Sequence, residues 1–338
     1  MILGQQSSFW VSESYSVALV VQLIRQKSNI IQKGGLSMKI LWLDWRDHPT
    51  SHRVQEEAIK SGLELEVCEI DEIALMTNLI QIGLFKNNRD IVKEFDALMV
   101  RNFHPHISKA LTIARLFKDA GKTVVDESLT NEGYAMSKMH DYLLLSQAGL
   151  PVPTTVQTVN RQEVEKLAET IGYPCILKGI HGGLGQHVFK IKDAFRLRRT
   201  LSQYPDGELA LQEFLPAKED YRVLTIGFKA VSFFVSRQPR PGDFRTNFAL
   251  EGEGTPHSLS HMPELVPLAE KASRLLKREF AGVDLRFKKD KPVILEVNRR
   301  PGFDGFELAT GLNIAQMVLQ YIVSKSEGAM NKALTKDN

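Results

Sequence analysis

The 338-residue sequence predicts an α/β protein, with a parallel N-terminal sheet region and a later region that turns antiparallel. Three observations carry this prediction. Between about residues 38 and 128, short apolar runs alternate with amphipathic helical stretches, the pattern of βαβ units. From Asp220 onward, apolar runs follow one another across tight turns, at Gly227 and at Lys289-Asp-Lys291, the pattern of hairpins. Between the two regions Leu150-Pro-Val-Pro-Thr-Thr155 forces an extended chain, because each proline disfavours helix in the residue before it.

The elements follow in order. Lys39–Asp44 reads as a buried strand, Arg53–Gly62 as a helix ending on glycine, and Leu65–Ile70 as a second strand. Phe95–Arg101 is a third strand, Ile107–Ala120 a helix closed by Gly121, and Lys122–Asp126 a fourth strand. A helix over Lys138–Ala148 stops at Gly149. Beyond the prolines come a helix (Arg161–Ile171), a strand (Pro174–Lys178), a glycine-rich segment and another strand (His187–Ile191). A helix over 193–203 and a strand over Leu209–Leu215 complete that stretch. Strands Tyr221–Ile226 and Ala230–Arg237 precede a helix over Glu264–Phe280. The final hairpin has arms Gly282–Phe287 and Pro292–Asn298, followed by a helix over Asn313–Val323 and a polar tail. Domain boundaries are expected at 38–128, 129–213 and 214–325, with a flexible tail over 326–338.

Hydrophobic residues make up 43% and charged residues 25%, which argues against wholesale disorder. With 43 basic and 40 acidic residues the net charge is only +3, so nucleic-acid binding is disfavoured. Cys68 and Cys175 lie in separate apolar runs and build neither a disulfide framework nor a zinc site, which points to a reducing, cytoplasmic home. The run Val17–Ile24 is broken by Gln22 and is far shorter than the roughly 20 residues a bilayer requires, so no membrane partner is expected. Lys33-Gly-Gly35 is what a bacterial ribosome-binding sequence would give if translated, just ahead of Met38-Lys-Ile-Leu41. Met38 is therefore expected to be the true start, with 1–37 a non-native or disordered extension; a natural flexible extension is the alternative.

Four segments carry chemistry. Lys178-Gly-Ile-His-Gly-Gly-Leu-Gly-Gln186 lacks the Gly-Lys-Ser/Thr of a P-loop and runs into a strand rather than a helix. Its glycines suit a flap whose N–H groups close over phosphates, with Lys178 leading in; a plain glycine-rich hairpin is the competing reading. In the final hairpin Glu296 and Asn298 share a strand face. A three-residue loop would set Asp284 opposite Glu296, giving an oxygen-only set suited to Mg²⁺, whereas a two-residue loop would send these groups to opposite faces. Gln212-Glu-Phe-Leu215 is a strand end able to offer main-chain groups and an aromatic slab to a base, or simply a buried strand. Arg245-Thr-Asn247 suits a transferring phosphoryl group, or a solvated loop.

Taken in order, these segments resemble the ATP-grasp superfamily, specifically the ribosomal-protein glutamate ligase (RimK-like) family. The matching text includes Phe95-Asp-Ala-Leu-Met-Val-Arg101, Lys138 with Gln147-Ala-Gly-Leu-Pro-Val-Pro153, Gly182-Gly-Leu-Gly185 and Asp220-Tyr-Arg222. It continues through Gly242-Asp-Phe-Arg-Thr-Asn247, Ala281-Gly-Val-Asp284, Leu295-Glu-Val-Asn-Arg-Arg-Pro-Gly302 and Gly305–Ala315, over roughly 38–325. The resemblance implies an ATP-grasp fold behind an N-terminal parallel α/β pre-ATP-grasp domain, with 129–213 as lid subdomain and 214–325 as C-terminal subdomain. It implies that Lys138 and Lys178, with Gly182, Gly183 and Gly185, bind ATP phosphates. Glu213 and Phe214 would form the adenine hinge, and Asp220 would face the ribose. Arg245 and Asn247 would lie by the γ-phosphate, with Arg245 also stabilising the oxyanion. Asp284, Glu296 and Asn298 would hold Mg²⁺ (or Mn²⁺), as two ions. The implied partners are ATP, an amino acid and a carboxylate acceptor on a peptide, protein or small molecule, in a chain compatible with a homo-oligomer. The implied reaction is carboxylate–amine ligation through an acyl phosphate.

The sequence departs from the family pattern in two places. Phe248-Ala-Leu-Glu-Gly-Glu-Gly254 replaces a basic run, and Arg299-Arg300 replace small residues after Asn298. The two arginines are expected either to bind a substrate carboxylate or to pair with Glu251 or Glu253. Against protein modification stand a small-metabolite or cofactor-tail ligase and a nucleotide-binding module without ligase chemistry.

Overall fold

The computed structural model describes residues 37–77, 82–131, 137–158, 160–179, 188–203, 209–216, 218–239, 244 and 254–334. Lys39–Asn338 is one compact unit, separate from Met1–Met38, and only the former is described below.

The unit opens with β1 (Lys39–Leu43), α1 (Pro49–Lys60) and β2 (Glu64–Cys68). A meander of β3 (Ala74–Thr77), β4 (Ile82–Lys86) and β5 (Arg89–Asp90) follows, and then α2 (Ile91–Glu94), β6 (Ala97–Val100), α3 (Ile107–Asp119) and β7 (Thr123–Val125). Strands β2-β1-β6-β7 form a parallel sheet. Ile40 to Leu43 are fully buried, as expected for a strand covered on both faces. Leu41, Leu43, Ile113 and Phe117 centre its core. Helix α1 begins four residues ahead of the expected start because His48 caps it, accepting from Thr50 N at 3.2 Å, with Pro49 in the first turn. The meander has no apolar alternation to announce it: every residue of β3 is exposed.

The next stretch contains α4 (Lys138–Gln147), β8 (Thr155–Thr158), α5 (Arg161–Ile171), β9 (Cys175–Gly179), β10 (Val188–Ile191), α6 (Ala194–Gln203) and β11 (Leu209–Glu213). Its antiparallel sheet runs β10-β9-β11-β8, over a core that includes Val164, Leu177, Leu197 and Leu211. The last stretch holds β12 (Asp220–Ile226), β13 (Lys229–Arg237), β14 (Gly254–Ser258), α7 (Leu265–Leu275), β15 (Phe280–Lys288), β16 (Lys291–Asn298), α8 (Asp304–Thr310) and α9 (Ile314–Leu334). Its five-stranded antiparallel sheet runs β14-β13-β12-β15-β16. Helix α7 ends well before Phe280 because Lys277 takes φ 50°, after which the apolar run becomes strand. Among the described residues no helix is long and apolar enough to cross a membrane.

The turn of the β15–β16 hairpin corrects the three-residue expectation. Lys289 and Asp290 form a two-residue turn with φ 48° and 61°. That loop alone would put Asp284 and Glu296 on opposite faces. A bulge restores the pairing, because Leu285 faces Ile294 while Asp284 faces Glu296. Leu295 is the extra residue, and it re-aims everything after it on β16.

Candidate active site

The bulge leaves Leu295 outside the regular ladder, and a side chain takes up its carbonyl. Tyr142 Oη, from α4, donates to Leu295 O at 2.6 Å. The same hydroxyl accepts from Lys178 Nζ at 2.6 Å, and Lys178 Nζ also donates to Gln212 Oε1 at 3.1 Å. Tyr142 thus ties β9 to the hairpin that carries the expected metal ligands. Helix α4 is held in place at its C-terminus, where Gly149 takes φ +74° and Leu150 N returns to Leu145 O. Pro151 O then accepts from Ile294 N at 2.8 Å, beside the bulge.

Lys138, in the first turn of α4, reaches Glu296 Oε1 at 3.3 Å. That carboxylate raises the Lys138 pKa against the opposing effect of burial. Lys178 behaves oppositely. Burial, reinforced by the charge of Lys138, pushes its pKa down to about 7. Lys138 lies close enough for its charge to act on Lys178, and burial disfavours charge on the inner of the two amines.

Asp284 is buried and heavily engaged. Arg222 clasps it through Nε–Oδ1 and Nη2–Oδ2, both 2.8 Å, and Arg237 Nη2 reaches Oδ1 at 2.9 Å. Asn298 Nδ2 donates to Oδ2 at 3.1 Å. Burial opposes the carboxylate, but the two guanidinium groups outweigh it and hold its pKa below the usual range. The donor set of Asp284, Glu296 and Asn298 is all hard oxygen and suits Mg²⁺. Four donors fill Asp284 in this arrangement. Turning the Asn298 amide would put its oxygen where the nitrogen stands and release one lone pair of Oδ2, while Glu296 Oε1 remains engaged by Lys138. Lys138, Lys178, Arg222 and Arg237 outnumber the two carboxylates, so the cluster is built to receive an anion.

The remaining expected residues divide. Glu213 accepts from Thr154 N at 2.9 Å and from Lys288 Nζ at 2.5 Å, which fixes the end of β11. The Phe214 ring lies beneath Lys190 Nζ at 3.7 Å and edge-on to Phe244 at 6.4 Å. Asp220 is 3% exposed, its Oδ1 takes Arg286 Nε at 2.5 Å, and Arg286 also holds Leu215 O at 2.7 Å. It lies on the β12 face of Arg222, opposite the face that carries Val223 into the core, and beside Arg237 on β13. Gly182, Gly183, Gly185, Arg245 and Asn247 lie outside the described residues, as do Glu251 and Glu253. Arg299 and Arg300 pair with Asp126 (3.2 Å) and Asp44 (2.5 Å), which directly follow β7 and β1 of the parallel sheet.

Four residues with evident roles escaped the sequence reading as site residues: Tyr142, Gln212, Arg222 and Arg237. Arg222 was legible in principle, since it shares a strand face with Asp220 two residues before it. Tyr142 was not, because its role depends on the bulge at Leu295.

A family profile for the RimK-like ATP-grasp domain matches residues 135–322. Among curated relatives, a probable alpha-L-glutamate ligase 2 of Shewanella denitrificans is 26% identical, over 84% of this chain and 94% of its own. A probable alpha-L-glutamate ligase of Legionella pneumophila is 27% identical, over 86% and 97%. Among solved structures, the ATP-grasp ligase PsnB complexed with a minimal precursor superposes with a TM-score of 0.65 at 19% identity, covering 86% of this chain and all of that one (100%). The macrocyclase MdnC of Microcystis aeruginosa, bound to precursor peptide MdnA, gives 0.65 at 15% identity, over 85% and 99%. With the fold, the site and the profile in agreement over more than half of its length, the chain belongs to the RimK-like ATP-grasp family and is a ligase that forms carbon–nitrogen bonds.

Proposed function

We propose that this chain is an ATP- and Mg²⁺-dependent carboxylate–amine ligase that attaches an amino acid, glutamate-like, to a carboxylate on a peptide, protein or small molecule. The observation that carries the proposal is the hydrogen-bonded chain from Lys178 through Tyr142 to Leu295, which joins a phosphate-type lysine to the hairpin of Asp284 and Glu296. In this reading Lys138 and Lys178 bind the phosphates, the main chain at Glu213–Phe214 receives adenine, and the flap of Gly182, Gly183 and Gly185 covers the nucleotide. Arg245 and Asn247 serve the γ-phosphate. Asp284, Glu296 and Asn298 would hold Mg²⁺, as two ions, which would supply charge neutralisation on the phosphates.

The steps balance without a covalent enzyme intermediate. The substrate carboxylate takes the γ-phosphoryl group and ADP leaves. The amine then attacks the acyl carbon, loses a proton and expels phosphate, leaving an amide. Positioning and electrostatics supply the rate, so no nucleophilic side chain is required. The glutamate-like substrate is supported by the names of the curated relatives, and a peptide acceptor by the precursor-bound structural neighbours. A cytoplasmic location and the subdomain division at 129–213 and 214–325 belong to the same reading.

The test is phosphate release by the full chain with Mg-ATP and amino acids supplied singly and in pairs, with and without a peptide extract. Stimulation by one amino acid or pair is expected. Tight ATP binding with no stimulation under any of these conditions would favour a nucleotide-binding module instead.

A further inference from the structure

Helix α4 meets β16 at three consecutive residues. Tyr142 takes the Leu295 carbonyl, and Lys138 reaches the Glu296 carboxylate. The third contact, at Val297, passes through Arg278, on the link between α7 and β15. Its Nη1 donates to Val297 O at 2.5 Å and to Asp141 Oδ2 at 2.9 Å, while Nη2 donates to Asp141 Oδ1 at 2.8 Å. Arg278 is 5% exposed. Its main chain is fixed by other contacts: Arg278 N returns to Ser273 O at 2.9 Å, and Glu279 N donates to Asp126 Oδ1 at 2.8 Å. The guanidinium therefore serves its acceptors rather than its own loop, and its main acceptor is Asp141.

Occupation of Asp141 matters because of what else stands on α4. Asp141 follows Lys138 by three residues, so the two share a helix face. Lysine–acid pairs at this spacing form elsewhere in the chain, between Lys93 and Asp90 and between Lys166 and Glu163, both at 3.1 Å. Lys138 instead reaches Glu296, at 3.3 Å. The Glu296 charge is the main cause of its raised pKa and the Asp141 charge adds to it, so two carboxylates act on one ammonium. A planar guanidinium that meets both oxygens is the better partner for Asp141, and it leaves Lys138 to Glu296. A buried ion pair adds little net stability over an apolar pair of similar volume, so stability alone gives no reason for Arg278 and Asp141 at this place.

We propose that Arg278 is a positioning residue: by occupying Asp141 it keeps Lys138 turned toward β16 and open to the phosphates of ATP. The inference rests on the ligase reading, which assigns Lys138 to those phosphates. Arg278 acts through Lys138 and needs no contact with substrate. Without it, Asp141 captures the ammonium.

Calorimetry measures the binding of a non-hydrolysable ATP analogue and of adenosine to the full chain, with Mg²⁺ present. Arg278→Gln should weaken the analogue about tenfold, the size of one lost charge-assisted contact, and leave adenosine within about twofold. Arg278→Gln combined with Asp141→Leu should return the analogue to within about threefold of the native value, because no acid is then left to capture Lys138. In a Lys138→Met background Arg278→Gln should add nothing. Equal losses for analogue and adenosine, or a double variant as weak as the single one, would make the pair a structural clamp and overturn the proposal. An Arg278→Gln chain that does not fold would do the same, since capture by Lys138 is what neutralises Asp141 there; so would a double variant that does not fold. Undiminished analogue binding by Arg278→Gln would also overturn it. Undiminished binding by Lys138→Met would remove the phosphate role of Lys138 from the ligase reading, and the proposal with it.

Discussion

Replacing Lys178 by methionine removes a buried ammonium while keeping most of its volume. In the folded chain its pKa is about 7 instead of 10.5, mainly because burial disfavours the charge. The unfolded chain therefore takes up a proton between pH 10.5 and 7 that the folded chain does not. This penalty is absent above the unfolded pKa, grows as pH falls, and is complete below about pH 7. At 1.36 kcal/mol per pKa unit the penalty at pH 7 is about 4 kcal/mol as a ceiling. Methionine also leaves Gln212 Oε1 without its lysine donor, which costs about 1–3 kcal/mol. Tyr142 keeps its bond to Leu295 O. The variant should therefore be more stable than the native chain at pH 7, by roughly 1–3 kcal/mol, and the gain should shrink as pH approaches 10.5. Denaturant melts of both chains at pH 7 and near pH 10, in phosphate-free buffer, measure this difference. Nucleotide affinity should fall at least tenfold at the same time, since a site that is costly when empty exists for its ligand. A variant that is less stable at pH 7, or whose gain does not depend on pH, would refute the reasoning.

Three further outcomes follow from the same geometry. Because the phosphates favour the charged form of Lys178, ATP binding at pH 8 should take up close to one proton, and affinity should weaken as pH rises above 7; calorimetry in buffers of different ionisation enthalpy reads the uptake, and none at all would contradict the phosphate role. Tyr142→Phe strands the Leu295 carbonyl and frees Lys178, so it should destabilise the chain by about 1–3 kcal/mol and weaken ATP binding, both measurable on one preparation. Asp220→Asn leaves Arg286 buried without its counter-charge and should lower stability by about 3–5 kcal/mol; the KM for ATP in surviving folded protein separates a purely structural pair, which leaves it within twofold, from a ribose contact, which raises it well beyond that.

Much of the architecture was legible because period and punctuation agree in this sequence. The parallel strands are unbroken apolar runs between glycine-ended helices, and β1, β2, β6 and β7 fall within a few residues of expectation. The meander over β3–β5 was not legible, since exposed short strands carry no burial pattern. The metal-type hairpin shows where local rules stop. Turn chemistry specifies the two-residue loop at Lys289–Asp290, yet the pairing of Asp284 with Glu296 depends on a bulge at Leu295. That bulge is stabilised from a distance by Tyr142 and Pro151, so no local pattern around Leu295 announces it. Charge partners were equally hidden. Arg299 and Arg300 face acids more than 170 residues away in sequence, and only the fold brings Asp126 and Asp44 to them.

The central claim is activation of a carboxylate by phosphoryl transfer, and isotope transfer tests it most directly. The full chain is supplied with Mg-ATP, the amine substrate and a carboxylate substrate whose carboxyl oxygens are heavy-isotope labelled, and the released phosphate is weighed by mass spectrometry. Passage through an acyl phosphate places one labelled oxygen in each phosphate released, in step with amide formed. Amide formation with unlabelled phosphate would contradict the account.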